Sequence, residues 1–295
     1  MRIWGNSMKL HVENLCKAYG STIALDHLSI TFENGIYGIL GPNGAGKSTL
    51  MNILSLLLDK TDGNITLDEN DIVKMDTTYL DHIGYMPQEN CLYDDFTLFE
   101  SLCYVGALKG MKKTEAGLQA NELAKEVGLA DVLHKKIKTY SGGMKKRAMF
   151  AQTLMNHPDI LILDEPTAGL DPQKRIELRN IISQLSKDKI VLIATHVVSD
   201  IEYIANQIVL MNHGKIIKVG STKDLIQSID GKVFERCIEE GQLKQLESKY
   251  RISNLRYEQG KLIARIITDE APLENGIRIT PDLNDVYLSY FQEIS

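Results

Sequence analysis

At 295 residues the chain can build one large core and a second, smaller unit, and 43% hydrophobic with 24% charged residues argues against a disordered or fibrous protein. A formal net charge of -6 lacks the Lys and Arg surplus that neutralising nucleic-acid phosphates demands, so no nucleic-acid partner is expected. No apolar run reaches the roughly eighteen uncharged residues of a membrane span, so any membrane role requires a partner.

The first ten residues carry Arg2 and Lys9 around Trp4 and Gly5, without the apolar stretch of a secretory leader, and a cytoplasmic chain is expected. Cys16, Cys91, Cys103 and Cys237 have no paired metal spacing and are expected to be buried free thiols. From Leu10 to Leu40 short alternations such as Leu28, Ile30 and Phe32, broken by Asn34-Gly35, predict strands joined by a turn. Ile36 to Leu40 reads as a buried strand that enters a glycine-rich loop at Gly41, and Leu50, Ile53, Leu54, Leu57 and Leu58 then continue at helical spacing.

Apolar residues repeat at three and four from Thr97 to Val127, with Gly106, Gly110 and Gly117 as interruptions, which predicts a helical insert over about 92–150. Ile160 to Leu163 and Ile190 to Ala194 are continuous apolar runs with a helical stretch, Pro172 to Leu185, between them. They predict central strands of a parallel sheet. After Gly220 the character changes: Asp230-Gly231-Lys232 punctuates the chain, and a short helix and a hairpin signal at Glu258-Gln259-Gly260-Lys261 follow. The expected organisation is an α/β domain over 8–228 and a small α+β accessory domain over 232–295. The first would combine a central, mostly parallel sheet, an N-terminal antiparallel β subdomain and the helical insert.

Gly41-Pro42-Asn43-Gly44-Ala45-Gly46-Lys47-Ser48 fits the phosphate-loop pattern and lies between a strand and a helix, where that pattern must lie. Its glycines permit dihedrals closed to other residues, so successive N–H groups converge on phosphate oxygens at a positive helix terminus. Lys47 stands in the first helical turn, where a cation opposes the helix dipole unless an anion occupies the loop.

Ile160 to Leu163 ends in Asp164-Glu165 at a strand tip, the place where open α/β sheets hold ligands. Asp164 suits a magnesium shell, and Glu165 is the candidate general base for water attacking a γ-phosphate. His196 follows the strand Ile190 to Ala194 and should project from the same edge as a γ-phosphate contact, with a capping or core role as the alternative. Ser141-Gly142-Gly143 precedes an apolar helical pattern and offers a second helix N-terminus to an anion, or else a plain capped helix. Gln88, in Tyr85-Met86-Pro87-Gln88, reads by itself only as a solvated loop amide.

The order Gly41 to Thr49, Gln88, Tyr140-Ser141-Gly142-Gly143-Met144, Ile160 to Pro166, Ala168-Gly169-Leu170-Asp171 and His196 resembles the ABC transporter ATPase family over about residues 8 to 225. The resemblance implies a P-loop NTPase that takes ATP and magnesium. Asn43, Gly44, Ala45 and Gly46 would cradle phosphates, Lys47, Ser48 and Thr49 would hold phosphates and metal, and Asp164 and Gln88 would sit on the metal. By the same likeness Glu165 would be the base, His196 the γ-phosphate sensor, Asp171 part of the loop joining two sites, and Tyr19 the aromatic stacked on adenine.

In that family Ser141-Gly142-Gly143 of one subunit faces the nucleotide of another, so the single motif set here implies a dimer, docked on a membrane permease at the inner face of the cell membrane. Two positions depart from the common pattern: Tyr140 replaces leucine and Met144 replaces glutamine. Leu283-Asn284-Asp285-Val286-Tyr287-Leu288 is similar to the terminal pattern of drug and bacteriocin-immunity exporters and implies export. A soluble ATPase of the same family acting on ribosomes or DNA would need a second motif set or long heptad arms, and the chain has neither. A P-loop GTPase would need an Asn-Lys-x-Asp motif, which is also missing.

Overall fold

The computed structural model describes residues 8–269, 273 and 275–291. The chain opens with β1 (Leu10–Tyr19) and β2 (Thr22–Phe32), which pair antiparallel, and β3 (Gly35–Leu40) leads through the glycine loop into the helix Lys47–Leu54. Next come β4 (Asp62–Leu67), β5 (Asn70–Asp71) and β6 (Ile83–Met86), then the helices Leu98–Leu108, Lys113–Glu126 and Gly142–Thr153. β7 (Ile160–Asp164), the helix Pro172–Leu185, β8 (Ile190–Thr195), β9 (Gln207–Asn212) and β10 (Lys215–Gly220) follow. Helix Thr222–Gln227, strands β11 (Val233–Ile238), β12 (Arg251–Glu258), β13 (Lys261–Ile267) and β14 (Ile277–Arg278), and helix Leu283–Phe291 come last among the described residues.

One sheet has the order β2-β1-β4-β5 and is antiparallel; a six-stranded sheet, β10-β9-β3-β8-β7-β6, is parallel from β9 to β6. Every residue of β7 and β8 is buried, as strands covered on both faces must be, which is why their sequences are apolar up to the last residue, Asp164 in β7 and Thr195 in β8. A single apolar cluster joins Leu10 and Phe32 of the antiparallel sheet to Met51 and Leu54 of the phosphate-loop helix and to Ile162 and Leu192 of the parallel sheet. Both sheets therefore brace that helix.

Two expectations are corrected. The helix after the glycine loop ends at Leu54 rather than running on to Leu58: Tyr79 Oη donates to the Leu54 carbonyl at 2.7 Å and Leu56 has φ 55, so Leu57 turns outward to 64% exposure. The four cysteines are free, but none is buried; Cys91 and Cys237 are exposed. In the insert, Thr97 and Glu100 form a capping box at the start of Leu98–Leu108, and the chain turns through Gly110 (φ 74) before Lys113–Glu126.

The chain divides into two compact units between Ile217 and Lys218, upstream of the junction expected at 228–232, and helix Thr222–Gln227 packs on Leu283–Phe291 within the second unit. That unit is an antiparallel sheet, β12-β13-β11-β14, over a core of Phe234, Ile238, Leu262, Ala264 and Ile266. Asp285, 1% exposed, pins the terminal helix: Arg265 donates from Nε (2.9 Å) and Nη2 (2.5 Å), Ser253 Oγ donates at 2.8 Å, and the Asp282 N–H at 2.9 Å. Burial alone would raise its pKa, but the Arg265, Asp282 and Ser253 bonds outweigh that and hold the carboxyl below its usual range.

Replacing Arg265 by Ala leaves that carboxylate buried without its cation and should destabilise the unit by about 3–5 kcal/mol in urea melts. A lowered folded-state pKa means this stabilisation is full above the unfolded carboxylate value and is lost as pH falls through the folded one. Parent and variant melts should therefore converge in acid.

Candidate active site

The glycine loop joins the C-terminal end of β3 to the N-terminus of Lys47–Leu54, whose first-turn N–H groups have no side-chain cap and no acidic residue beside them. Gly46 is required by its surroundings: φ is 99, and a Cβ there would stand 2.6 Å from the Ala24 carbonyl oxygen. Lys47, only 7% exposed, folds back so that Nζ donates to the carbonyls of Gly41 (2.7 Å) and Pro42 (3.0 Å). Burial lowers its pKa, against the opposing pull of Glu165 and Asp164. A desolvated cation thus lies at a helix start whose N–H groups have no side-chain cap, an arrangement that favours an anion.

Asp164 and Glu165, at the tip of β7, are both buried. Burial is the main cause of a raised Asp164 pKa, while a hydrogen bond from Ser48 and the nearby Lys47 and Lys146 act the other way. Asp164 Oδ1 is buried without a partner, so the site offers an unused carboxylate oxygen beside a serine hydroxyl. Those hard oxygen donors fit magnesium. Among the described residues no group of three His, Cys, Asp or Glu is placed to hold a metal ion.

Glu165 sits at φ 47, a left-handed backbone uncommon for this residue type. Its Oε1 accepts from the His196 N–H (3.1 Å) and lies 2.7 Å from His196 Nδ1, and its Oε2 accepts from Thr195 Oγ1 at 3.2 Å. Three donors at the end of β8 fix the carboxylate's orientation, near enough to Lys47 to act on its charge. With the carboxylate ionised, Nδ1 of His196 carries the proton.

Lys47, Ser48, Asp164, Glu165 and His196 are therefore linked in one cluster. Gln88 is exposed and reaches this cluster through Lys146, whose Nζ donates to the Gln88 carbonyl at 2.8 Å. Tyr19 is 51% exposed with Lys17 Nζ 5.1 Å from its ring centre, leaving a face for a flat ligand. Ser141 caps the helix Gly142–Thr153 by accepting from the Met144 N–H (3.3 Å), and Asp171 caps Pro172–Leu185 by accepting from the Lys174 N–H (3.0 Å). The Lys174 stem packs over Gly143, so these two caps are neighbours. Tyr140 is buried, with its hydroxyl donating to the Val132 carbonyl at 2.7 Å, so the departure from leucine is packed rather than strained.

Sequence reasoning missed Thr195, Lys146 and the buried Thr167–Asp200 bond, in which Thr167 Oγ1 donates to Asp200 Oδ2. The last ties the segment after Glu165 to the segment after His196. Only the position of Thr195 beside His196 was a usable signal.

The ABC transporter family model matches residues 25–168. The chain is similar to the uncharacterized ABC transporter ATP-binding protein YxlF of Bacillus subtilis, 38% identical over 84% of this chain and 83% of that one. It is also similar to the linearmycin resistance ATP-binding protein LnrL of the same organism, at 37% identity over 75% of this chain and 72% of LnrL. A solved ATP-binding subunit of an ABC transporter superposes with a TM-score of 0.67 at 25% identity, covering 74% of this chain and 92% of its own.

Proposed function

Because this chain belongs to the ABC transporter family of ATP-binding proteins, whose chemistry is ATP hydrolysis coupled to transport, we propose that it is an ATPase subunit that drives export through a separate permease. The observation that carries the reading is the convergence of buried Lys47 with Asp164 and Glu165 beside uncapped N–H groups at one sheet edge. Asn43 to Gly46 and Thr49 would supply backbone and hydroxyl donors to the phosphates, and Lys47 the compensating charge. Ser48, Asp164 and Gln88 would hold magnesium, which when bound neutralises charge on the phosphate oxygens.

Glu165, already aimed by Thr195 and His196, takes the proton of the attacking water, and His196 reads the γ-phosphate at the same edge. Tyr19 stacks on adenine. Ser141-Gly142-Gly143 of one subunit closes over the nucleotide of a second copy, with Asp171 relaying between the two sites, so the working form is a dimer.

Among the described residues no helix is long and apolar enough to cross a membrane, so transport requires the permease. An open groove of about 520 Å³, walled by Leu57, Leu80, Ile83, Tyr85 and Leu108 with Asp81 and Lys109 at its sides, suits a short amphipathic segment of that partner. Docking there places the chain peripherally on the cytoplasmic face. Export follows from the likeness to LnrL, a resistance protein, together with the terminal pattern 283–288, which forms the helix Leu283–Phe291.

Calorimetry tests the core of this reading: the folded protein with magnesium should bind ATP at one site per chain and release phosphate. A folded protein with no measurable heat of ATP binding at any concentration would end it.

A further inference from the structure

We propose that Lys146 is a positioning residue for hydrolysis, strapping the Gln88 loop to the helix Gly142–Thr153 so that Gln88 and Ser141-Gly142-Gly143 keep one geometry. The inference rests on the reading of those elements as parts of the nucleotide site.

The helix approaches β6 very closely at its C-terminal end: a Cβ on Gly84 would fall 2.0 Å from the Thr153 carbonyl oxygen. Its first turn meets the loop that follows β6. There Lys146 Nζ donates to the Gln88 main-chain carbonyl at 2.8 Å, which fixes the loop backbone and leaves the Gln88 side-chain amide free. One residue earlier, Lys145 Nζ pairs with Asp94 Oδ1 at 2.6 Å; both lysines are half-buried and both partners, Asp94 and Gln88, are exposed.

The two contacts differ in kind. Lys145–Asp94 is a surface pair of the sort that contributes little. Lys146 bonds a neutral carbonyl instead; burial pushes its pKa down, and the nearby Glu165 and Asp164 act against that. An ammonium withdrawn from water to bond a single neutral carbonyl would be costly without neighbouring carboxylates. Asp164 and Glu165 offset part of that cost, and loss of the Lys146 bond should disturb the Gln88 loop before it disturbs the fold.

The test uses the full chain with Lys146→Met, which keeps the stem and removes the charge, Lys146→Arg, which restores it, and Lys145→Met as a surface control. In Lys146→Met, kcat should fall roughly ten- to a hundredfold, as for supporting contacts behind a metal ligand, with ATP affinity within about threefold of the parent. Amide hydrogen exchange over residues 88–92 without nucleotide should quicken in the same variant. Lys146→Arg should recover most of kcat, and Lys145→Met should match the parent.

Parental kcat and exchange in Lys146→Met would overturn the strap. So would a parallel loss of kcat and ATP affinity that arginine does not rescue, because that describes a fold defect. Should the parent itself fail to bind ATP, the nucleotide reading falls, and the exchange comparison alone then decides whether the strap exists.

Discussion

Replacing Glu165 by Gln should abolish turnover while leaving ATP bound, with phosphate release falling by about 10²- to 10⁴-fold, the range removed with a general base. The physical reason is specific to this geometry. Glu165 Oε1 accepts from the His196 N–H, and a glutamine carbonyl oxygen can accept the same bond, so the side chain stays aimed. Its amide, however, cannot take a proton from water. Binding should persist because the phosphate loop, Lys47 and Asp164 are untouched. The variant should accumulate as an ATP-bound dimer, visible as a doubled mass in size exclusion with magnesium and ATP. Parental phosphate release would remove Glu165 from the role of base.

The second large effect is at Lys47. Lys47→Ala deletes the one buried cation that the loop curls around, and charge-assisted bonds to phosphate are among the strongest a protein makes. Nucleotide affinity should drop by about two to three orders of magnitude, the size expected when one such contact with its Coulomb attraction is lost. Stability without nucleotide should not fall in proportion. Burial already lowers the Lys47 pKa, so the ammonium is a cost of the empty site rather than a source of its stability. The discriminating measurement is a melt with and without magnesium and ATP: the parent gains melting temperature with ligand, and the variant melts near the unliganded parent but gains nothing. A full ligand-induced gain in Lys47→Ala would place the nucleotide elsewhere.

These two substitutions also separate binding from chemistry. Lys47→Ala should never reach the closed dimer, because no nucleotide is held to close it. Glu165→Gln should reach it and stay.

Much of the site was legible because its signals are local. The phosphate loop is a contiguous pattern whose glycines have to adopt particular dihedrals, and the structure places Gly44 and Gly46 at φ 80 and 99. The start of helix Pro172–Leu185 is legible because Asp171 caps it and Pro172 occupies its first turn, two effects confined to neighbouring residues. The central strands were legible for another reason: a parallel sheet covered on both faces demands apolar residues without alternation.

The misreadings share the opposite property. Leu57 and Leu58 continue the helical period, yet the helix stops where the Tyr79 hydroxyl, 25 residues further along, takes the Leu54 carbonyl. The absence of paired metal spacing makes Cys91 a buried free thiol by expectation, but it follows the Gln88 loop on an exposed surface, a matter of where β6 ends.

By itself the sequence determined the element types, the phosphate cradle and the acids at the tip of β7, since each depends on residues adjacent in the chain or on burial patterns that side-chain polarity reports directly. Only the tertiary structure decided which groups act together: that His196 and Thr195 aim Glu165 from 31 and 30 residues away, that Asp164 keeps an unpartnered oxygen, and that Lys146 holds the Gln88 loop. Those outcomes depend on how strands stack side by side in the sheet, and linear spacing carries no record of which strand tips become neighbours.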